Sequence, residues 1–113
     1  MIDPLLGTVE YALGGLQQRV DAIADNMANA NTPLYSAKRV KFEDALSSAL
    51  QNGKSAPETA PYVTGNLAIP DHQGNSVNLE QEMTDLTKTA LARQTLTQGF
   101  NYKLGVYRIA VNK

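Results

Sequence analysis

The apolar residues of the first thirty positions recur at intervals of three and four without a break, and this periodicity constrains the fold more than any other feature. Such spacing places side chains on one stripe of a long α-helix. Two interpretations remain open: the seam of a coiled coil, or the buried side of an amphipathic helix packed on its own core. The stripe comprises Leu6, Val9, Leu13, Leu16, Val20, Ile23 and Met27, with Ala30 at its end.

Adjacent glycines interrupt this helix near its middle, at Gly14 and Gly15. Each weakens a helix by about 1 kcal/mol relative to alanine. We expect the pair to allow bending or the close approach of a neighbouring element.

A second long helix is predicted from Asn78 to the C-terminus, with Asn78 and Gln81 at capping positions. Its stripe comprises Leu79, Met83, Leu86, Phe100, Leu104, Tyr107 and Val111. Another face carries Leu96, Tyr102, Val106 and Ile109. A helix that is apolar over so wide an arc must be covered by more than one neighbour.

The stretch from Asn26 to Tyr35 ends the first helix. Asparagine and threonine side chains compete for backbone hydrogen bonds, and Pro33 lacks a donor and disfavours helical geometry at Thr32. The helix must therefore end by about Asn31. The candidate functional residues here are Asn26, Ala28, Asn29, Asn31, Thr32, Pro33, Leu34 and Tyr35.

The middle of the chain begins with a basic, irregular segment that contains Lys38, Arg39 and Lys41. These three residues are predicted either to be a solvated face or to make a salt-sensitive contact with an acidic neighbouring subunit. A short helix follows over residues 42–51, and a long loop then carries a possible small hairpin that pairs residues 62–64 with residues 67–69.

These elements predict a mainly α fold in one discontinuous domain. Residues 1–33 and 78–113 supply the two long helices of a coiled-coil core, and residues 34–77 form the middle segment. Whether residues 53–77 are ordered before a partner binds is left open by the sequence.

Composition excludes several classes of function. The net charge of −1 predicts no general attraction to nucleic acid or anionic membranes. The chain has no cysteine, and its single histidine, His72, lies in the loop, so neither metal ligands nor catalytic groups converge in the sequence. We expect no enzymatic activity and no cofactor.

No apolar run is long enough for membrane insertion, and the first 18 residues lack Lys and Arg, which predicts no Sec-type signal.

The motif Asn26-Met27-Ala28-Asn29-Ala30-Asn31-Thr32-Pro33-Leu34-Tyr35 resembles the signature of the bacterial flagellar axial proteins, which form the rod, hook and hook-associated structures. The run from Gly74 to Met83 and the segment Ala90–Gln98 are similar to those of the short proximal rod subunits. Leu34 departs from the pattern, since the family has glycine there. Because leucine disfavours a positive φ, we expect a type I or extended path after Pro33.

The resemblance implies a structural subunit of the proximal rod, in the periplasm, that transmits torque and is exported by the flagellar type III apparatus without a cleavable signal peptide. Its implied partners are further copies of itself, other rod subunits, the rod-base adaptor and the inner-membrane rotor (MS) ring. The alternatives are a soluble helical adaptor or export chaperone, and another rod subunit of the same family.

Overall fold

A computed structural model describes residues 2–65 and 70–112. Along the chain, the elements are helix α1 (Ile2–Ala28), strand β1 (Lys38–Lys41), helix α2 (Glu43–Gln51), strand β2 (Tyr62–Gly65) and helix α3 (Leu79–Val111). The mainly α fold with two long terminal helices is therefore confirmed. Within the described ranges, every helix is too short or too polar to cross a membrane.

The two long helices lie side by side in antiparallel directions. Asn26, near the end of α1, contacts Glu82 in the first turns of α3, whereas Leu96 packs on the same core cluster as Tyr11 and Ala12. The molecule is elongated as a result, with principal extents of 65 × 26 × 15 Å.

The core lies where α1 meets β1 and the start of α2. It is a cluster of Leu16, Ala22, Val40 and Phe42. The ring of Phe42 rests directly on Gly15, where a Cβ atom would lie 2.5 Å from the ring. Of the two expected consequences of the glycine pair, close approach of a neighbour is realised at Gly15, and Gly14 faces open space.

The basic segment is a strand, which corrects the prediction that it is irregular. β1 pairs antiparallel with β2, with Lys38 opposite Gly65 and Lys41 opposite Tyr62. Local sequence missed this strand because its partner lies more than twenty residues away along the chain. Of the predicted hairpin, residues 62–64 do form a strand, but their described partner is β1. Its other half, residues 67–69, lies outside the described residues.

The short helix and its stop are confirmed, since α2 ends at Gln51 and Gly53 takes a positive φ of 75°. The loop that follows is attached to α1 through two hydroxyl groups. Thr8 Oγ1 donates to the carbonyl oxygen of Ser55, and Tyr11 donates to the carbonyl oxygen of Thr59 at 3.0 Å. At α3, the predicted cap is present, because the Asn78 side chain accepts from the backbone N–H of Gln81.

Candidate assembly site

α1 ends at Ala28, and its last carbonyls are satisfied by the turn that follows. The backbone N–H of Asn29 donates to the carbonyl of Asp25 at 3.1 Å, and the Asn29 side chain donates to the same carbonyl at 2.8 Å. Thr32 donates through both its backbone N–H and its hydroxyl to Asn29. The helix thus stops five residues before Pro33, within the limit that the sequence predicted.

Leu34 adopts a positive φ of 63°, so the predicted type I or extended path is wrong. The chain takes the left-handed conformation that glycine would favour. The loop before α3 holds this conformation: the backbone N–H of Leu34 donates to the carbonyl of Gln73 at 2.9 Å, and the Leu34 side chain lies over Gly74. Tertiary contacts therefore override the local preference of leucine.

Replacing Leu34 with glycine should raise the free energy of unfolding by about 0.5–1 kcal/mol. Leucine pays roughly 1–2 kcal/mol for the left-handed conformation, whereas glycine pays a smaller entropic cost in the unfolded chain. Little packing is lost, because Leu34 is 82% exposed. Urea denaturation checks the result. Ser36→Gly, at an exposed neighbour without a positive φ, is the control and should be neutral or slightly destabilising. A Leu34→Gly protein that is less stable than the parent would show that the left-handed conformation does not strain Leu34.

Residues 71–77, here termed the clamping loop, form hydrogen bonds with the turn that follows α1. The buried Asn75 side chain donates to the carbonyls of Asn29 at 2.9 Å and Thr32 at 2.7 Å. The buried Ser76 hydroxyl accepts from the backbone N–H of Ala37, and the Ser76 N–H donates to the carbonyl of Tyr35. Sequence reasoning placed these residues only in the approach to the last helix and missed their contact with the turn.

Asp71 organises the clamping loop itself. Its carboxylate accepts the backbone N–H groups of Gln73 at 2.8 Å and Asn75 at 3.0 Å. The hydrogen bonds from Asn75 and Gln73 hold the pKa of the Asp71 carboxyl below its usual range. The same bonds orient Asn75 towards the turn.

A buried polar network joins α1, β1 and α3, and we define it as Asn26, Arg39 and Glu82. Asn26 and Glu82 are both 0% exposed. Arg39 donates to the two carboxylate oxygens of Glu82 at 2.8 and 3.2 Å, and the Asn26 amide donates to Glu82 at 2.9 Å. Asn26 also exchanges hydrogen bonds with the backbone of Lys38 through its amide and its carbonyl oxygen. The helix-ending signature, the basic strand and the last helix are thus joined at one point.

The three predicted basic contact residues differ in their surroundings. Arg39 belongs to the polar network, and Lys38 pairs with Asp25 at 3.1 Å, which raises the pKa of the Lys38 ammonium through that hydrogen bond. Lys41 is exposed. A contact between these residues and a neighbouring subunit remains a prediction, and Lys41 is the one whose side chain is most available for it.

The two predicted apolar stripes differ in how much of each is buried within the chain itself. Most of the stripe on α1 is covered within the chain, with Val9, Leu16 and Ile23 buried and Leu6 the most exposed member. Much of α3 remains uncovered. Its exposed large apolar residues are Leu79, Met83, Leu91, Tyr102, Val106, Tyr107, Ile109 and Val111. Leu86, Phe100 and Leu104 are half-buried towards the rest of the chain.

A further ion pair fastens β1 and α2 to α1. Arg19 donates to both carboxylate oxygens of Glu43, at 2.6 and 2.8 Å, and to the carbonyl of Val40 at 2.6 Å. Its guanidinium also lies 5.0 Å from the centre of the Phe42 ring. The hydrogen bond from Arg19 lowers the pKa of the Glu43 carboxyl.

This lowered pKa predicts a loss of stability in acid. Because the folded pKa lies below the unfolded one, the contribution of Glu43 is complete above about pH 5 and is lost as the pH falls through the folded pKa. Thermal unfolding between about pH 6 and 3 should show a smaller acid-induced fall in Tm for Glu43→Gln than for the parent chain. The effect is modest because the side chain is partly exposed. Asp44→Asn is the control, and an identical Tm profile for Glu43→Gln would contradict the assignment.

The fold and the site define a class: a structural helical subunit whose last helix leaves an apolar surface uncovered. Across residues 2–65 and 70–112 there is no cluster of potential metal ligands. His72 is exposed in the clamping loop. Polar side chains are used to fix backbone geometry, and apolar side chains of α3 are left outward.

Comparison with known proteins identifies the family. A family model described as "Flagella basal body rod protein" matches residues 8–35. The flagellar basal body rod protein FlgB of Aeromonas hydrophila is 31% identical over 116 residues, covering 90% of this chain and 88% of that protein. FlgB of Bacillus subtilis is 30% identical over 84% of this chain and 83% of that protein. The chain therefore belongs to the FlgB family of flagellar basal body rod proteins.

A further match concerns the alternative that the chain is another rod subunit of the same family. The flagellar basal-body rod protein FlgF of Mesorhizobium japonicum is 43% identical over 61 residues, but these cover only 25% of that protein. The full-length similarity to FlgB proteins favours the FlgB family. The chain is thus a non-enzymatic structural subunit of the flagellar rod, located in the basal body and assembling with other rod components.

Proposed function

We propose that this chain is a subunit of the proximal rod that assembles helically around the export channel. In this role it links the inner-membrane rotor (MS) ring, through the rod-base adaptor, to the rest of the rod and transmits torque. The rod lies in the periplasm, and the subunit reaches it through the flagellar type III export apparatus.

The exposed apolar surface of α3 is the observation that carries this proposal. Tyr102 is 72% exposed and Ile109 is 63% exposed, on a helix that is firmly attached to the chain at its other end. Large apolar side chains gain free energy when neighbouring subunits cover them. Repetition of that contact from copy to copy would build a helical wall.

The polar turn supports torque transmission by a separate argument. A subunit that carries load must keep its elements in fixed relative positions. The clamping loop and the polar network join α1, β1 and α3 through buried hydrogen bonds, which are directional and costly to leave unmade. Residues 1–33, 34–77 and 78–113 would then act as one discontinuous domain, with the signature turn Asn26–Tyr35 aiming the middle segment towards adjacent subunits.

Aspartate substitutions on α3 test the assembly role. Ile109→Asp should reduce the number of rods assembled on basal bodies by at least about tenfold, because an ionised carboxylate would be desolvated in the subunit interface. Circular dichroism of the purified chain should be unchanged. Asn101→Asp, at an exposed polar position of the same helix, is the matched control. Normal rod formation and motility with Ile109→Asp would refute the proposal.

Self-association separates the proposed role from that of an adaptor or export chaperone. A rod subunit should form extended polymers at high concentration or stack onto purified rotor rings, whereas an adaptor should remain a small discrete oligomer. Sedimentation and electron microscopy of the purified chain distinguish the two outcomes.

A further inference from the structure

The apolar stripe of α1 divides into two lines in the folded chain. The members of the first line are all buried, namely Val9, Leu16 and Ile23. The members of the second line are only partly covered, namely Leu6, Leu13, Val20 and Met27. Because the second line repeats at heptad intervals, its residues lie along one edge of the helix. The stripe of α1 is therefore covered on one side and open on the other.

The first turns of α3 lie beside this open edge. Asn26 and Glu82 face each other in the antiparallel pair. Met27 and Met83 each follow by about 100° around their own helices, which in an antiparallel pair places both on the same side. Lys88, about 120° around α3 from Glu82 in the other direction, lines a cleft with β1. The side of Met27 and Met83 is thus the side that β1 does not cover.

The two helices form an apolar groove on that side. Its α3 wall is well exposed, since Leu79 is 47% and Met83 is 59% exposed. The residues that define the apolar groove are Val20 and Met27 of α1 and Leu79, Met83 and Ala90 of α3. A groove between two helices that is lined in this way fits a third helix with an apolar stripe.

Such a stripe is present at the other end of α3. We define the terminal stripe as Tyr102, Val106 and Ile109, which are exposed and follow one another at the coiled-coil intervals of four and three. α3 is one unbroken helix, so Met83 and Val106 are held about 35 Å apart. The terminal stripe of a chain therefore cannot reach the groove of the same chain, but it can reach that of a second copy.

Exposed charges of opposite sign adjoin the two surfaces. Next to groove residues in the sequence are Asp21 and Glu80, whereas next to residues of the terminal stripe are Lys103 and Arg108. Residues 91–111 contain no acid at all. Contact between two grooves would bring acids together, and contact between two stripes would bring bases together. Only contact between a groove and a stripe brings opposite charges together.

We propose that the terminal stripe of one copy of this chain docks in the apolar groove of the next copy. Burial of apolar surface stabilises the contact, and the opposite charges determine which surfaces meet. The contact joins two different surfaces head to tail, so it can repeat from copy to copy and build a helical row. It names the partner of the exposed surface of α3 and in that respect rests on the proposed function.

Because the chain has no cysteine, cross-linking between copies tests the contact directly. Met83→Cys and Ile109→Cys chains are purified, mixed in equal amounts at high concentration and treated with a short bifunctional maleimide. Mass spectrometry then identifies the linked peptides, and circular dichroism verifies that both variants keep their helix content. Links between positions 83 and 109 should exceed links between identical positions by at least about tenfold, because the contact is head to tail.

Two kinds of control accompany this experiment. Ser48→Cys, at an exposed position of α2 outside both surfaces, replaces Met83→Cys and should give only background linking. Leu79→Asp in the Met83→Cys chain should lower the yield at least about tenfold, because its carboxylate would be desolvated in the occupied groove. Gln81→Asp adds the same charge at an exposed position on another side of the same helical turn and should leave the yield unchanged. An acid is compatible with the first turn of a helix in both variants.

Several outcomes would overturn the proposal. A predominance of links between identical positions would show a two-fold contact, and a lack of links at high concentration would exclude a second copy from the groove. Equal effects of Leu79→Asp and Gln81→Asp would show that the groove is not occupied. Extended polymers without links between positions 83 and 109 would overturn this contact but not the proposed function. Abundant links of this kind in a chain that builds no rod would support the contact and contradict the proposed function.

Discussion

Replacing Arg39 alone with methionine should lower the free energy of unfolding by about 3–5 kcal/mol, the cost of leaving a buried charge without its partner. Glu82 is 0% exposed, and Arg39 is the only cation within salt-bridge distance of it among the described residues. The Asn26 amide would remain as a donor to Glu82 but carries no charge. Most small domains have only about 5–15 kcal/mol of stability, so the loss would be severe.

Urea denaturation followed by circular dichroism measures this loss. Lys41→Met is the matched control, since Lys41 lies two residues further along β1 and is exposed, and its removal should change stability by no more than about 0.5 kcal/mol. Equal effects of the two substitutions would show that Glu82 does not depend on Arg39. The single substitution leaves the Glu82 carboxylate buried without its cation, whereas the double variant Arg39→Met/Glu82→Leu removes both charges and should therefore be less destabilised than Arg39→Met alone.

Gly15→Ala should destabilise the chain by about 1–3 kcal/mol, because an added methyl group overpacks the core. A Cβ atom at this position would lie 2.5 to 2.7 Å from three carbons of the Phe42 ring. The ring has little room to retreat, since Phe42 is buried in the core cluster and Arg19 lies over it. Relief would require displacement of the segment that connects β1 to α2.

Gly14→Ala provides an unusually close control, because it makes the same substitution one residue earlier in the same helix. Nothing lies within 4 Å of a Cβ atom at Gly14. Alanine should therefore stabilise the isolated chain there by about 1 kcal/mol, the difference in helix propensity. Thermal unfolding of the two variants should move Tm in opposite directions. A stabilised Gly15→Ala protein would show that the Phe42 ring can pack against an alanine at position 15.

The sequence predicted the long helices well because their signals are local. Intervals of three and four residues, the stop at Asn26–Tyr35 and the cap at Asn78 all act within a few turns of backbone. It did not decide between a coiled-coil seam and a core-facing stripe on α1, because a helix presents the same pattern to either neighbour. In the folded chain, α1 turns much of its stripe towards its own core, and the uncovered apolar residues lie mainly on α3.

The site was predicted less completely. The signature residues were predicted, but the residues that form hydrogen bonds with them were not. Asn75, Ser76 and Glu82 lie far along the chain from the signature. Locally, Asn75 and Ser76 belong to the segment before a helix, and Glu82 is an acidic residue in its first turns. Arg39 was predicted to lie on a solvated face or to contact an acidic neighbouring surface, because nothing in the local sequence indicates that a cation of this short basic run is paired with Glu82. The run Gly74–Met83 was noted for its resemblance to rod proteins, but that resemblance did not predict which residues it contacts.

By itself, the sequence determined the helical class and the position of the helix-ending turn, since these follow from periodicity and backbone chemistry. Only the tertiary structure decided the left-handed conformation of Leu34, the pairing of the basic segment with β2 and the burial of Glu82 in place of Met83. For Leu34, the local preference amounts to about one or two kcal/mol, on the order of a single hydrogen bond or methylene group. Contacts from distant parts of the chain can outweigh preferences of that size.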